Sequence, residues 1–232
     1  MLTGKKVIIF DMDGTLIDSV GIWNQVDKEL IRRIGNKVIA EEDIQKKRDE
    51  KLREFSKEES PYHAYCGYLG KEYHSKLSAE EIHDLRYEIA NEFLVKEIDY
   101  KPYAEQWIKK LKSEGFILGI ATTTRKKNMD IYRARNEKIQ RKAAIDEYFT
   151  FVYTREDVKE IKPNPEIYFK IMETLQVQAK ECLVFEDSLI GIESAVRAGI
   201  DSVAVYDKYS KDDWDEICMK ANYHIDGYLE LI

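Results

Sequence analysis

The segment Val7-Ile8-Ile9-Phe10-Asp11-Met12-Asp13-Gly14-Thr15 constrains this chain more than any other. Four apolar residues, mostly β-branched, read as a short strand covered on both faces. The strand ends abruptly in two aspartates one residue apart, followed by a glycine. Alternate residues of an extended chain point to the same side. Asp11 and Asp13 therefore crowd two carboxylates at a strand tip unless the backbone bends, as Gly14 permits. Like charges so close call for a cation or a shared proton. Taken alone, the segment is equally well explained as a strand running into an acidic turn. A calcium loop of the helix–loop–helix kind does not fit, because Gly14 is fourth counting from Asp11 and not sixth.

With 232 residues the chain is long enough for one large domain or for a core carrying a smaller insert. Hydrophobic residues make up 44% and charged residues 35%, which supplies both a packed interior and a soluble surface. Apolar runs are only a few residues long, so no membrane span is expected. Lys5 and Lys6 lead straight into the first strand, so no cleavable signal is expected. Cys66, Cys182 and Cys218 lie far apart and form no CxxC pair, so neither a disulfide framework nor a zinc site is expected. These features point to a reducing, cytoplasmic compartment. A net charge of −7 argues against nucleic acid as a partner. It leaves room for a small phosphorylated metabolite whose charge is met locally, and nothing suggests more than a monomer.

Taken in order, the chain predicts a helix from Val20 to about Ile34, with an apolar stripe of Ile22/Trp23, Val26, Leu30/Ile31 and Ile34. Asp18 or Ser19 is placed to cap it, and Gly35-Asn36 to stop it. A charged helix from Ala40 to Phe55 follows, then an aromatic-rich segment opening at Ser60-Pro61. Ser78-Ala79-Glu80-Glu81 has the form of a capping box and leads a long helix to about Lys96. No strand is expected between residues 20 and 98. Beyond that point strands and helices alternate, with strands at Phe116–Ala121, about Phe149–Tyr153, Cys182–Phe185 and Ser202–Val205. Residues Lys126 to Glu147 read as one helical stretch. Such alternation predicts an α/β fold, a doubly wound parallel sheet with helices on both faces. The helical block interrupts it between the first two strands. Residues 1–18 and 100–232 are thus expected to form the core, and residues 19–99 an inserted all-helical cap joined through short polar hinges.

Ligands of open α/β sheets bind beyond the carboxyl ends of the strands. Polar clusters fall there repeatedly: Asp11 and Asp13 after the first strand, Thr122-Thr123-Thr124 after the second, Glu186 and Asp187 after the fourth. Lys162 lies in the loop beyond the third. Together they describe an anionic pocket for a hard divalent cation, with an ammonium and hydroxyl donors beside it. Phosphoryl transfer needs little else beyond an in-line nucleophile.

The ordered set Asp11-Met12-Asp13-Gly14-Thr15, Thr122, Lys162-Pro163 and Glu186-Asp187-Ser188 with Gly191 resembles the haloacid dehalogenase-like hydrolase superfamily, in its branch with a helical cap after the first motif. The resemblance implies a Rossmann-like core and a Mg²⁺-dependent phosphatase acting on a small phosphomonoester through an aspartyl-phosphate. Asp11 would be the nucleophile. Asp13 would protonate the leaving oxygen and then activate water, its main-chain carbonyl lying on the metal. Asp187 would bind the metal directly, and Glu186 directly or through water. Thr122, with the backbone amide of Thr123, would hold the phosphoryl oxygens, and Lys162 would neutralise charge.

Asp13 speaks against dehalogenation, since haloacid dehalogenases differ at that position. A phosphosugar mutase of the β-phosphoglucomutase type shares the core, the cap type and the Glu-Asp-Ser motif. Where that enzyme carries a cap-linker histidine, this chain has Trp23, which reads better as a packed aromatic. Phosphonate cleavage would require a Schiff-base lysine in the cap, where lysines abound. A non-catalytic binding module on the same fold should have lost Asp11, Asp13 or Lys162, and all are present. Specificity is expected on the cap, with Lys46, Lys47, Arg48, Tyr62 and Tyr65 as candidates. His63, His74, His83 and His224 show no metal-ligand spacing.

Overall fold

The structure, a computed structural model, describes residues 1–55, 58 and 60–232. The chain divides into two compact units, Met1–Val20 with Ile98–Ile232, and Gly21–Glu97. The core unit therefore runs to Val20 and resumes at Ile98, two residues beyond the expected boundary at each junction. The reason is local. Ser19 donates its hydroxyl to Asp13 at 2.5 Å, and the carbonyl of Ile98 accepts from the buried side chain of Asn136 at 2.9 Å.

The helical unit comprises α1 (Ile22–Gly35), α2 (Glu41–Glu54), α3 (Pro61–Glu72) and α4 (Ala79–Lys96). In α1 the buried stripe is Ile22, Val26, Leu30 and Ile31, and the helix stops where Asn36 turns left-handed with φ 51°. Neither Asp18 nor Ser19 caps it. Gly21 precedes the first turn and no side chain caps it there, because the Ser19 hydroxyl is turned to Asp13. The capping box at Ser78 and Glu81 is formed at the start of α4. Asp27 is wholly buried. It accepts from Arg86 Nε at 2.6 Å and from Arg48 Nη1 at 3.1 Å. The Arg86 guanidinium in turn lies 4.5 Å from the ring centre of half-buried Trp23. Tyr65 is core, 1% exposed, which removes it from the candidates for substrate contact.

The core unit is a six-stranded parallel sheet in the order β3-β2-β1-β4-β5-β6. It comprises β1 (Val7–Phe10), α5 (Ala104–Ser113), β2 (Ile117–Ala121), α6 (Lys126–Ala134), α7 (Glu137–Ala143), α8 (Ile145–Tyr148) and β3 (Phe151–Tyr153). Then follow α9 (Glu166–Leu175), β4 (Cys182–Glu186), α10 (Leu189–Arg197), β5 (Asp201–Val205), α11 (Trp214–Lys220) and β6 (Tyr223–Ile225). The single helical stretch expected over 126–147 is broken into three. At the first break Asn136 accepts the N–H of Ile139 at 3.0 Å and starts a new helix. Strand β6 was not expected; two of its three residues are exposed, so it lacks the apolar run that marks the others.

Every residue of β1 and β4 is buried, as parallel strands covered on both faces require. Phe10 stacks on Phe185 with ring centres 4.9 Å apart, and Phe185 on Tyr228 at 6.2 Å. Burial of each such ring stabilises by about 1.5–3 kcal/mol. Phe10 pairs with Ile120 on one side and Phe185 on the other. That register brings the residues just beyond all three strands to one level. The order of strands reverses between β1 and β4, the place where such sheets open a crevice. Among the described residues no helix is long and apolar enough to cross a membrane.

Candidate active site

The loops beyond β1, β2 and β4 meet around one lysine. Lys162, 3% exposed, donates to Asp11 Oδ1 at 2.7 Å, to Glu186 Oε1 at 2.8 Å and to the carbonyl of Ala121 at 2.8 Å. An ammonium has three protons, and each is engaged. The adjoining strands thus carry its three acceptors, and the long loop beyond β3 carries the lysine.

Asp11 follows β1 with its N–H donated to the carbonyl of Phe185 at 3.0 Å. Burial raises its carboxyl to about 7, although Lys162 pulls the other way. Asp187 is raised well above the usual carboxylate range by burial and by the nearby charges of Glu186 and Asp11. Its Oδ1 accepts the hydroxyl of Thr15 at 2.7 Å, and the carbonyl of Thr15 accepts from Tyr228 at 3.1 Å. The turn between the two aspartates and Thr15 depends on Gly14, whose φ is 83°; a Cβ there would strike the Asp187 carboxylate and Val20.

Glu186 is held from two sides. Its Oε1 faces Lys162, while Oε2 accepts the N–H of Asp187 at 2.8 Å and the N–H and hydroxyl of Ser188 at 2.9 and 3.0 Å. Gly191 makes room for it, since a Cβ at that position would fall on the carboxylate. Thr122 is buried and accepts the N–H of Thr124 at 3.1 Å, which leaves its own hydroxyl proton for another oxygen. Thr123 is exposed at the turn.

Asp13 stands apart from the lysine in an environment of hydroxyls. Ser19 donates to Oδ1 at 2.5 Å, Tyr132 donates to the same oxygen at 3.4 Å, and Thr124 donates to Oδ2. From the sequence Ser19 was expected only as a helix cap, and none of the three was expected as a partner of Asp13, nor Thr15 as a partner of Asp187. Thr124 and Thr15 sat inside the quoted motifs. Tyr132 had no local signal, since it comes from the middle of α6.

Three buried acids beside a single lysine leave an unmet demand for positive charge, which the raised carboxyls of Asp11 and Asp187 express. All the donors are oxygens, which suits magnesium and not a softer metal. Among the described residues no three His, Cys, Asp or Glu side chains form a ready metal cluster. A cation here would therefore take two carboxylates and complete its shell with main-chain, water or ligand oxygens, the ordinary habit of Mg²⁺. The residues fit that ion.

The sequence pattern described as haloacid dehalogenase-like hydrolase matches residues 8–205. The chain belongs to the haloacid dehalogenase-like hydrolase family. Within it, the phosphorylated carbohydrates phosphatase of Thermotoga maritima is 28% identical over 202 residues, spanning 85% of this chain and 83% of its own. Protein CbbY of Rhodobacter capsulatus is 28% identical over 210 residues, spanning 90% and 88%. The crystal structure of CbbY from Rhodobacter sphaeroides in complex with phosphate superposes with a TM-score of 0.69 at 22% identity, over 98% of this chain and 96% of that one. That likeness covers the α/β core and the helical insert, so the chain has the family fold.

Proposed function

We propose that this hydrolase is a Mg²⁺-dependent phosphatase of small phosphomonoesters, working through an aspartyl-phosphate on Asp11. The observation that carries the reading is the shared ammonium of Lys162, which fixes Asp11 and Glu186 together at the sheet's crevice. Relatives named as phosphatases, one of them acting on phosphorylated carbohydrates, support a sugar phosphate as the substrate class.

In this reading Asp11 attacks phosphorus with the oxygen that does not face Lys162. Asp187 and Asp11 would hold the cation, together with the main-chain carbonyl of Asp13. Glu186, with both oxygens engaged, would reach it through water. A bound magnesium supplies charge neutralisation for the phosphoryl oxygens and the adjoining carboxylates. Thr122 donates its hydroxyl to a phosphoryl oxygen, with the N–H of Thr123 beside it, and the fixed charge of Lys162 offsets the charge that builds up during transfer. Asp13 gives its proton to the leaving oxygen and takes one from water when the acyl phosphate is hydrolysed. Trp23 has no basic atom to take up and return a proton near neutral pH, which favours hydrolysis over an isomerisation needing a base at that position.

Release of inorganic phosphate from a panel of sugar phosphates, nucleotides and phosphorylated acids tests the proposal. Turnover should require Mg²⁺ and vanish with EDTA and in Asp11→Asn. A panel in which no ester is hydrolysed with Mg²⁺, or an Asp11→Asn variant with normal turnover, would overturn it.

A further inference from the structure

Tyr132 sits on α6 with its side chain 1% exposed, and its hydroxyl has one hydrogen-bond partner among the described residues, Asp13 Oδ1 at 3.4 Å. Burying a phenol oxygen costs more than burying a phenyl ring unless the oxygen has work to do, and a phenylalanine would fill the same space. Towards the Asp13 carboxylate the phenol is the donor. Ser19 at 2.5 Å and Thr124 donate to the same carboxylate. Three donors on one carboxyl group fix its direction.

We propose that Tyr132 is a positioning residue for Asp13, holding the carboxylate that forms when Asp13 gives up its proton to the leaving group. The inference rests on the phosphatase reading. In the first step an Asp11 oxygen bonds to phosphorus as the ester P–O bond breaks. The electron pair of that bond goes to the leaving oxygen, which takes the proton of Asp13 and departs as a neutral alcohol. Asp13 is left as the anion that Tyr132, Ser19 and Thr124 are placed to receive. An alkoxide is a poor leaving group and needs this proton, whereas p-nitrophenolate departs without one. Loss of the Tyr132 hydroxyl should then penalise alkyl esters selectively.

The test compares kcat/KM of wild type and Tyr132→Phe with Mg²⁺ on p-nitrophenyl phosphate and on β-glycerol phosphate, with Tm measured for both proteins. The ratio kcat/KM reports the first irreversible step and so isolates the transfer to Asp11. The expected result is a fall of about tenfold or more on the alkyl ester, with a fall at least about fivefold smaller on the aryl ester. Ser19→Ala should show the same selectivity, which guards against a Tyr132 variant that merely loosens the core. Equal losses on both esters, or no loss on either, would overturn the positioning role while leaving the phosphatase standing. Failure of the wild type to hydrolyse these two esters and every ester of the wider panel would instead bring down the phosphatase reading, and this inference with it.

Discussion

Thr15 donates its hydroxyl to Asp187 at 2.7 Å, joining the turn after β1 to the tip of β4 across 172 positions of sequence. The bond fixes one oxygen of that carboxylate, while the other lies beside Gly14. Where a carboxylate holds a metal, as proposed for Asp187, partners of this kind set its direction, and their loss commonly weakens metal binding by about 10–100-fold. Thr15→Val keeps the shape and removes the donor. The expected outcome is a rise of about tenfold or more in the Mg²⁺ concentration for half-maximal activity, with Tm nearly unchanged. It is checked by titrating the chelator-stripped protein with Mg²⁺.

Asp11→Asn should abolish turnover and yet leave the metal-free protein no less stable at alkaline pH. The folded-state carboxyl of Asp11 is raised to about 7 from its ordinary 3.8, chiefly by burial. Folding therefore favours the protonated group. The cost of ionising it grows as pH rises from the lower value and is complete above about 7. Asparagine does not bear that cost. The difference in Tm between variant and wild type, measured in EDTA, should move in favour of the variant between pH 5 and pH 8. A difference that shrinks over that interval would contradict the assignment.

In the helical unit, Asp27 and Arg86 form a buried pair with Nε to Oδ1 at 2.6 Å, and Arg48 offers a second, longer contact. Removing one partner strands a charge away from water, at a cost of about 3–5 kcal/mol when no other partner answers it. Arg86→Met should approach the lower end of that range because Arg48 remains. Asp27→Leu with Arg86→Met should lose less than the sum of the two single changes. Urea denaturation of the four proteins in a double-mutant cycle measures this directly.

Burial raises the thiols of Cys66 and Cys182 to about 11, while Cys218 on α11 is only half-buried. Native protein at pH 7.5 should therefore release about one equivalent of colour from Ellman's reagent, and three after denaturation. Mass spectrometry should place the fast adduct on Cys218.

Much of this arrangement was legible from the chain. Apolar runs ending in carboxylates or hydroxyls mark β1, β2 and β4, because a strand buried on both faces has a distinctive composition. The parallel alternation then dictates that their tips share one edge. Side chains that serve the acids from a distance were not legible. Tyr132 belongs to a helix whose pattern says only that one face is buried, and its meeting with Asp13 is settled by how α6 packs. The same holds for Ser19. Its position before a helix suggested a cap, whereas a stronger acceptor, the Asp13 carboxylate, claims the hydroxyl. Breaks such as the one at Asn136 were hidden because helix formers continue on both sides, and a tertiary bond to Ile98 decides the matter. Tyr65, read as a surface aromatic, lies in the interior because α3 turns it inward.

Tyr228 grips the carbonyl of Thr15 over a separation of 213 residues, and Thr15 in turn steers Asp187. During synthesis, then, the loop that carries Asp11 leaves the ribosome well before this brace does. Until that phenol is in place the carbonyl of Thr15 lacks this partner. A nascent polypeptide halted a few codons short of Tyr228 would hold every acid of the site and still lack the support that aligns them.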